Sequence, residues 1–199
     1  MDTKDMKREL AGFCNLAYLR KLVSATGGNI SARIPDTDTY IISPSGVSLR
    51  DADWERLITV DARSQTIEGP EGYVPSMETP MHLAVYQTQP QARAVVHLHP
   101  VHCIALSNLD ISLCLATVSA EMKMGKIGLI PDYQPGSQEL ADAVASCLRE
   151  DPDLHTLFLK RHGVISHGRS IREAFDNVDL AEEMATVYFL TQQLKAWSG

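Results

Sequence analysis

Three of the chain's seven histidines, His97, His99 and His102, fall within "HLHPVH", directly behind the β-branched run "AVV". Imidazole is not a usual core filler, so the cluster asks for a chemical reason. Alternate residues of a strand point to one face. His97 and His99 therefore lie side by side, a spacing suited to gripping one metal ion. His102 follows Pro100, outside that alternation, and is expected to point elsewhere. Two satisfied histidines in a polar crevice fit the same H-x-H spacing.

Two more segments carry groups of the right type. "LKRHGVI" places His162 just before Gly163, a residue that lets the backbone turn tightly and bring a side chain to a site edge. "PSMETP" places Glu78 in a turn entering a helix, where the helix dipole alone already favours a carboxylate. Three imidazoles and a carboxylate would complete a four-coordinate Zn²⁺ site, with a carboxylate able to leave the ion and act as a base. Spacing alone does not bring these segments together. Two Gly- and hydroxyl-rich turns, "TGGNIS" (26–31) and "SPSGVS" (43–48), can aim N–H and O–H donors at a phosphate, and Ser76 can add another. Ordinary surface turns have the same composition.

The elements that must position these groups follow from periodicity. Met6, Leu10, Phe13, Cys14, Ala17, Tyr18 and Leu22 predict a helix over residues 3–25, ended by Gly27 and Gly28. "NISARI", "TYIIS" and "LITVDA" read as short strands, and "MHLAVYQTQ" as a helix entered through Thr79 and Pro80. "ARAVVHLH" is a strand, with Pro100 opening a short helix, "VHCIALSN". Ser137 can cap a helix over 137–149. "TLFLKRHGVISHG" holds two strand-like pieces, and Ser170 with Glu173 matches a capping box before a final long helix. The expected architecture is α/β, layered in an α+β-like manner: a central, mostly antiparallel sheet flanked by helices, one domain over residues 1–199.

Composition narrows the function. The 44% hydrophobic and 22% charged fractions suit a packed globular chain. A net charge of −7 argues against a general nucleic-acid surface, though not against a local anion pocket. "MDTKDMKREL" has no apolar h-region, and no stretch approaches the 18 or so apolar residues of a membrane span. Cys14, Cys103, Cys114 and Cys147 form no C-x-x-C pair and read as isolated buried thiols in a reducing cytoplasm; Cys103 lies near the histidines but reads as packing.

Taken in order, "GGNIS", "SPSG", "PSMETPMH", "AVVHLHPVH" and "RHGVI" resemble the class II aldolase/adducin family from about residue 8 to residue 195. That family includes fuculose-1-phosphate and rhamnulose-1-phosphate aldolases, ribulose-5-phosphate 4-epimerase and methylthioribulose-1-phosphate dehydratase. The resemblance implies metal ligands at His97, His99 and His162, and a catalytic, metal-approaching glutamate at Glu78. It implies a phosphate pocket at Gly28, Asn29, Ser45, Gly46 and Ser76. It also implies Zn²⁺, or another divalent ion, and a cytoplasmic homotetramer with active sites at subunit interfaces. The implied activity is reversible retro-aldol cleavage of a ketose 1-phosphate into dihydroxyacetone phosphate and an aldehyde, with Glu78 moving the proton at the carbon that becomes the nucleophile.

Departures from the family pattern are visible. Met77 stands where fuculose-type aldolases often carry a second serine, removing one phosphate donor. The acid that a neighbouring subunit supplies has no firm counterpart: "EMKMGKIGLIPDYQPG" offers Lys123 and Tyr133, which equally read as solvated or interface residues. Glu rather than Asp at position 78 argues against the epimerase branch. "GLIPDYQPGSQELADAV" resembles the 3-oxo-tetronate 4-phosphate decarboxylases, so the decarboxylase and dehydratase readings stand beside the aldolase one. Non-catalytic adducin-like binding modules lose the ligand histidines, and this chain keeps them.

Overall fold

The computed structural model describes residues 2–109 and 117–197. Its centre is the run behind the histidines. Ala94–Leu98 forms a strand, β5, with all five residues buried. Seven further strands among the described residues complete its sheet: β1 (Asn29–Arg33), β2 (Thr39–Ile42), β3 (Ile58–Asp61), β4 (Thr66–Glu68), β6 (Ile127–Ile130), β7 (Thr156–Leu159) and β8 (Gly163–Gly168). The spatial order is β4-β3-β2-β1-β5-β8-β7-β6. Every neighbouring pair is antiparallel except β6 and β7. The sheet is thus mixed but mostly antiparallel, as expected.

Among the described residues six α-helices cover its two faces: α1 (Thr3–Leu19), α2 (Thr79–Thr88), α3 (Val101–Asn108), α4 (Val118–Lys123), α5 (Gln138–Glu150) and α6 (Ile171–Trp197). Alternation along β5 sends Ala94, Val96 and Leu98 into a core shared with α1, α3 and α6. Val95 enters the opposite core, built on α2 and α5. By the same alternation His97 faces the α2 side. Ser137 caps α5 by accepting the Leu140 N–H at 3.1 Å. Ser170 Oγ accepts from the Glu173 N–H, while the Glu173 carboxylate reaches the Arg169 N–H, one residue before the position of an ideal capping box.

The first helix corrects its expected length. It ends at Leu19 rather than residue 25, and the glycines at 27 and 28 do not terminate it. Lys21 takes the left-handed conformation (φ 60°) that glycine usually supplies. The Leu22 N–H then bonds the Ala17 carbonyl and the Lys21 N–H the Tyr18 carbonyl, the paired closure of a Schellman end. Three elements had no clear periodic signal. β4 is exposed throughout, α4 is a six-residue helix, and β6 is four residues with a central glycine.

The thiols are structural. Burial pushes Cys14 up to about 12 and raises Cys103 as well, so both stay protonated in the core; burial also raises the half-buried Cys147. Cys114 lies outside the described residues. No helix among the described residues is long and apolar enough to cross a membrane.

Phe175 on α6 is 2% exposed and packs against Phe13 of α1 with ring centroids 5.3 Å apart. Phe175→Ala is expected to cost about 3–5 kcal/mol through the cavity it leaves. Urea unfolding of the variant should show a lowered midpoint with metal affinity unchanged; an unchanged midpoint would contradict this packing.

Candidate metal centre

Four side chains from three segments meet where β5 ends. His97 is the fourth residue of β5, and His99 lies just past its end, its N–H bonded to the Leu22 carbonyl at 2.9 Å. His162 occupies the tight turn between β7 and β8, which Arg161 makes with φ 60°. Because β8 pairs with β5 (Leu98 opposite Val164), that turn delivers His162 beside His97. Glu78 arrives from the other layer, as the residue that starts α2. One ligand atom from each of the four residues lies within 4.8 Å of every other.

Glycine makes two of these approaches possible. A Cβ at Gly163 would run into the Leu98 carbonyl oxygen and the His99 ring. Gly28 adopts φ 76°, and a Cβ there would meet Val23 and the His97 carbonyl. The Gly27–Gly28 pair therefore lets the first turn close over the histidines rather than ending the first helix.

The donor set fits a divalent cation. The His97 Nδ1–H donates to the Val164 carbonyl at 3.0 Å, which leaves Nε2 facing inward as the atom that would ligate a cation. His99 Nε2 stands 2.9 Å from that atom. Two imidazole nitrogens this close require a shared proton or a cation between them. Glu78 Oε2 lies 3.0 Å from His97 Nε2 and Oε1 lies 3.2 Å from His162 Nε2. Yet Oε1 is buried without hydrogen-bond geometry to any partner, a vacancy in its bonding that a cation would satisfy. Burial pushes His99 down to about 3, and the neighbouring His97 and His162 rings push the same way, so it offers a free lone pair near neutral pH. Burial raises the Glu78 carboxyl, but the charge and contacts of His97 and His162 outweigh it and hold Glu78 well below the usual carboxylate range.

The expected phosphate residues also gather near this end of the sheet. Pro44 and Pro75 form a bridge, the Ser45 N–H bonds the Val74 carbonyl, and the Ser76 N–H bonds the Ser43 carbonyl. The Ser45–Gly46 turn and Ser76 are thereby held on adjacent segments, and Ser76 Oγ accepts from the Glu78 N–H at 3.2 Å. Gly46 is exposed with φ 72°. Asn29 behaves differently from its expected place in the phosphate pocket. Its amide is buried and engaged at both ends, by Glu78 Oε2 at 3.0 Å and His82 Nε2 at 2.6 Å, so its side chain serves the carboxylate.

The remaining candidates sit apart. His102 is on α3, its Nδ1 2.7 Å from Glu182, whose carboxylate also accepts the His102 and Cys103 N–H groups and so caps α3 from α6. Among the described residues, no hydrogen bond or ion pair joins Lys123 or Tyr133 to the cluster; Lys123 ends α4, and Tyr133 packs against the core on the α2 side. Sequence reasoning missed His82, Ser31 and Tyr86, which lie behind Glu78. Their signal was present: Glu78, His82 and Tyr86 recur every four residues, the spacing of one helix face.

Burial pushes His82 down to about 3, the His97 charge adding to the effect, and His167 down to about 4. With His99 these are three folded-state values below the ordinary 6.5. As pH falls below about 6.5 the unfolded chain takes up protons that the folded chain refuses until about 4 to 3. Stability of metal-free protein should therefore be complete above that window and decline within it, by up to about 4 kcal/mol per pH unit if all three contribute. Urea midpoints across pH 7.5 to 4.5 measure this; a flat profile would contradict the burial of three neutral imidazoles.

Comparisons with known proteins bear on the family and the fold. The family model for the Class II Aldolase and Adducin N-terminal domain matches residues 8–189. An L-fuculose phosphate aldolase of Methanococcus maripaludis is 36% identical over 187 residues, covering 94% of this chain and 98% of that protein. A 3-oxo-tetronate 4-phosphate decarboxylase of Escherichia coli is 31% identical over 192 residues, covering 94% and 87%. A solved L-fuculose 1-phosphate aldolase superposes with a TM-score of 0.87 at 25% identity, covering 98% of this chain and 89% of that one. The chain belongs to the class II aldolase and adducin family.

Proposed function

We propose that the chain is a Zn²⁺-dependent lyase that reversibly cleaves a ketose 1-phosphate into dihydroxyacetone phosphate and an aldehyde. The observation that carries the reading is the convergence of Glu78 with His97, His99 and His162 at one buried point. Those three imidazoles are the proposed ligands, and Glu78 the group that approaches the ion and then works as a base. When bound, the cation supplies Lewis-acid stabilisation for negative charge developing on a substrate oxygen.

The chain's own residues supply the rest. Asn29 holds Glu78 Oε2, which leaves Oε1 as the oxygen free to carry a proton. In the synthetic direction Oε1 removes a proton from the carbon beside the carbonyl of dihydroxyacetone phosphate; in cleavage it returns the proton to that carbon. Gly28, Ser45, Gly46 and Ser76 grip the phosphate and orient the reacting carbons. Met77 beside Glu78 leaves that grip one hydroxyl donor fewer. Apolar side chains left exposed on α4 and α6, including Met122, Phe189 and Leu190, support assembly into a homotetramer. The free thiols suit a cytoplasmic enzyme.

A second reading, decarboxylation of an oxo-acid phosphate, is favoured by the 31% identity to the Escherichia coli decarboxylase. Both reactions leave an electron pair on carbon beside a carbonyl, so one site chemistry serves either. Incubating Zn²⁺-loaded protein with dihydroxyacetone phosphate and an aldehyde panel separates them: carbon–carbon bond formation is expected. Release of CO₂ from an oxo-acid phosphate without aldol product would move the chain to the second reading, and inactivity in both assays would reject a lyase. Glu78→Gln should keep the metal and lose turnover by at least about a hundredfold. His97→Ala should lose the metal itself; a variant that retains wild-type metal content would remove His97 from the ligand set.

A further inference from the structure

Behind Glu78 runs a buried chain of polar groups that alternates between helix and strand. Helix α2 presents Glu78, His82 and Tyr86 at four-residue spacing, and β1 presents Asn29 and Ser31 at two-residue spacing. The two rows interleave. Asn29 Nδ2 lies 3.0 Å from Glu78 Oε2, Asn29 Oδ1 2.6 Å from His82 Nε2, His82 Nδ1 2.7 Å from Ser31 Oγ, and Ser31 Oγ 2.8 Å from the Tyr86 hydroxyl. All five residues are buried.

The carboxylate fixes the direction of every bond. An ionised carboxylate only accepts, so Asn29 must donate through Nδ2 and present Oδ1 as an acceptor. His82 must then carry its proton on Nε2 and accept at Nδ1 from the Ser31 hydroxyl. Ser31 in turn accepts from Tyr86. Were His82 protonated on Nδ1 alone, its Nε2 lone pair would face Asn29 and favour the flipped amide, turning a carbonyl oxygen toward Glu78.

We propose that His82 is a positioning residue for proton transfer: its Nε2–H locks the Asn29 amide in the one orientation that holds Glu78 Oε2 and leaves Oε1 to the substrate. The inference rests on the role given to Glu78 above. It assigns the turnover step to a donor at one depth in the α2–β1 interface, several bonds from the reacting atoms.

Side-chain amides distinguish that donor from mere filling. Glutamine at position 82 places an N–H at the depth of Nε2, whereas asparagine reaches only the depth of Nδ1 and serves Ser31. His82→Asn and His82→Leu should lower kcat by about 10- to 100-fold with KM changed little, the loss of one charge-supporting hydrogen bond. His82→Gln should recover most of that loss. In an Asn29→Ala background, His82→Leu should add almost nothing, because His82 acts through Asn29. A role in packing alone predicts additive losses and no preference for glutamine over asparagine, and either result would overturn the proposal. ¹⁵N–¹H correlation of the full-length wild type reads the His82 tautomer directly and needs no substrate. An Nε2–H ring is expected, and an Nδ1–H ring overturns the proposal even if the variants do not fold. Absence of lyase activity in wild type would sink the role of Glu78 while the tautomer measurement still reports on the relay.

Discussion

A carboxylate that is 5% exposed stays ionised only where donors and positive charge surround it, and the rest of this site is arranged around that demand on Glu78. Burial alone would neutralise it. The rings of His97 and His162 face it from the sheet, the Asn29 amide holds one oxygen, and the start of α2 contributes its dipole. The other oxygen is left without a hydrogen bond. An anion stabilised on one oxygen and open on the other has the form that the proposed role requires: one oxygen held in place and one available to a cation or a proton.

Two layers of different periodicity produce this arrangement. The sheet supplies histidines two residues apart and brings a third through the β7–β8 turn, while α2 supplies Glu78, His82 and Tyr86 one turn apart. The layers interlock through one continuous row of hydrogen bonds, from the Tyr86 hydroxyl through Ser31, His82 and Asn29 to Glu78 Oε2. Arg33 extends the same face of β1, donating to the Tyr86 and Pro90 carbonyls near the far end of α2. Glu182 plays a matching part on the opposite face, fixing the start of α3 directly after the strand that carries His97. Rigid support at both ends of β5 keeps the imidazoles aimed at one point.

Much of this was legible in the sequence, for identifiable reasons. The H-x-H pair was visible because strand alternation is strict, and Gly163 marked His162 because a side chain there would strike the ligand strand. The end of α1 was misplaced because glycine is the usual left-handed residue and Lys21 took that role. β4 carried no apolar alternation because an exposed edge strand buries nothing. His82 was passed over for a different reason. A histidine on an apolar helix reads as core until the strand opposite is known, and Asn29 and Ser31 lie some 50 residues earlier in the chain. Asn29 was expected at the phosphate, and only the packing of β1 against α2 turns its amide toward Glu78.

The central claim is that His97, His99 and His162 hold one divalent ion with neutral nitrogen lone pairs. X-ray absorption spectroscopy of the Zn²⁺-loaded protein tests it most directly. The account predicts a nitrogen/oxygen shell at about 2.0–2.1 Å with outer-shell scattering from three imidazole rings. Sulfur scatterers at about 2.3 Å, or an oxygen shell without imidazole scattering, would contradict it.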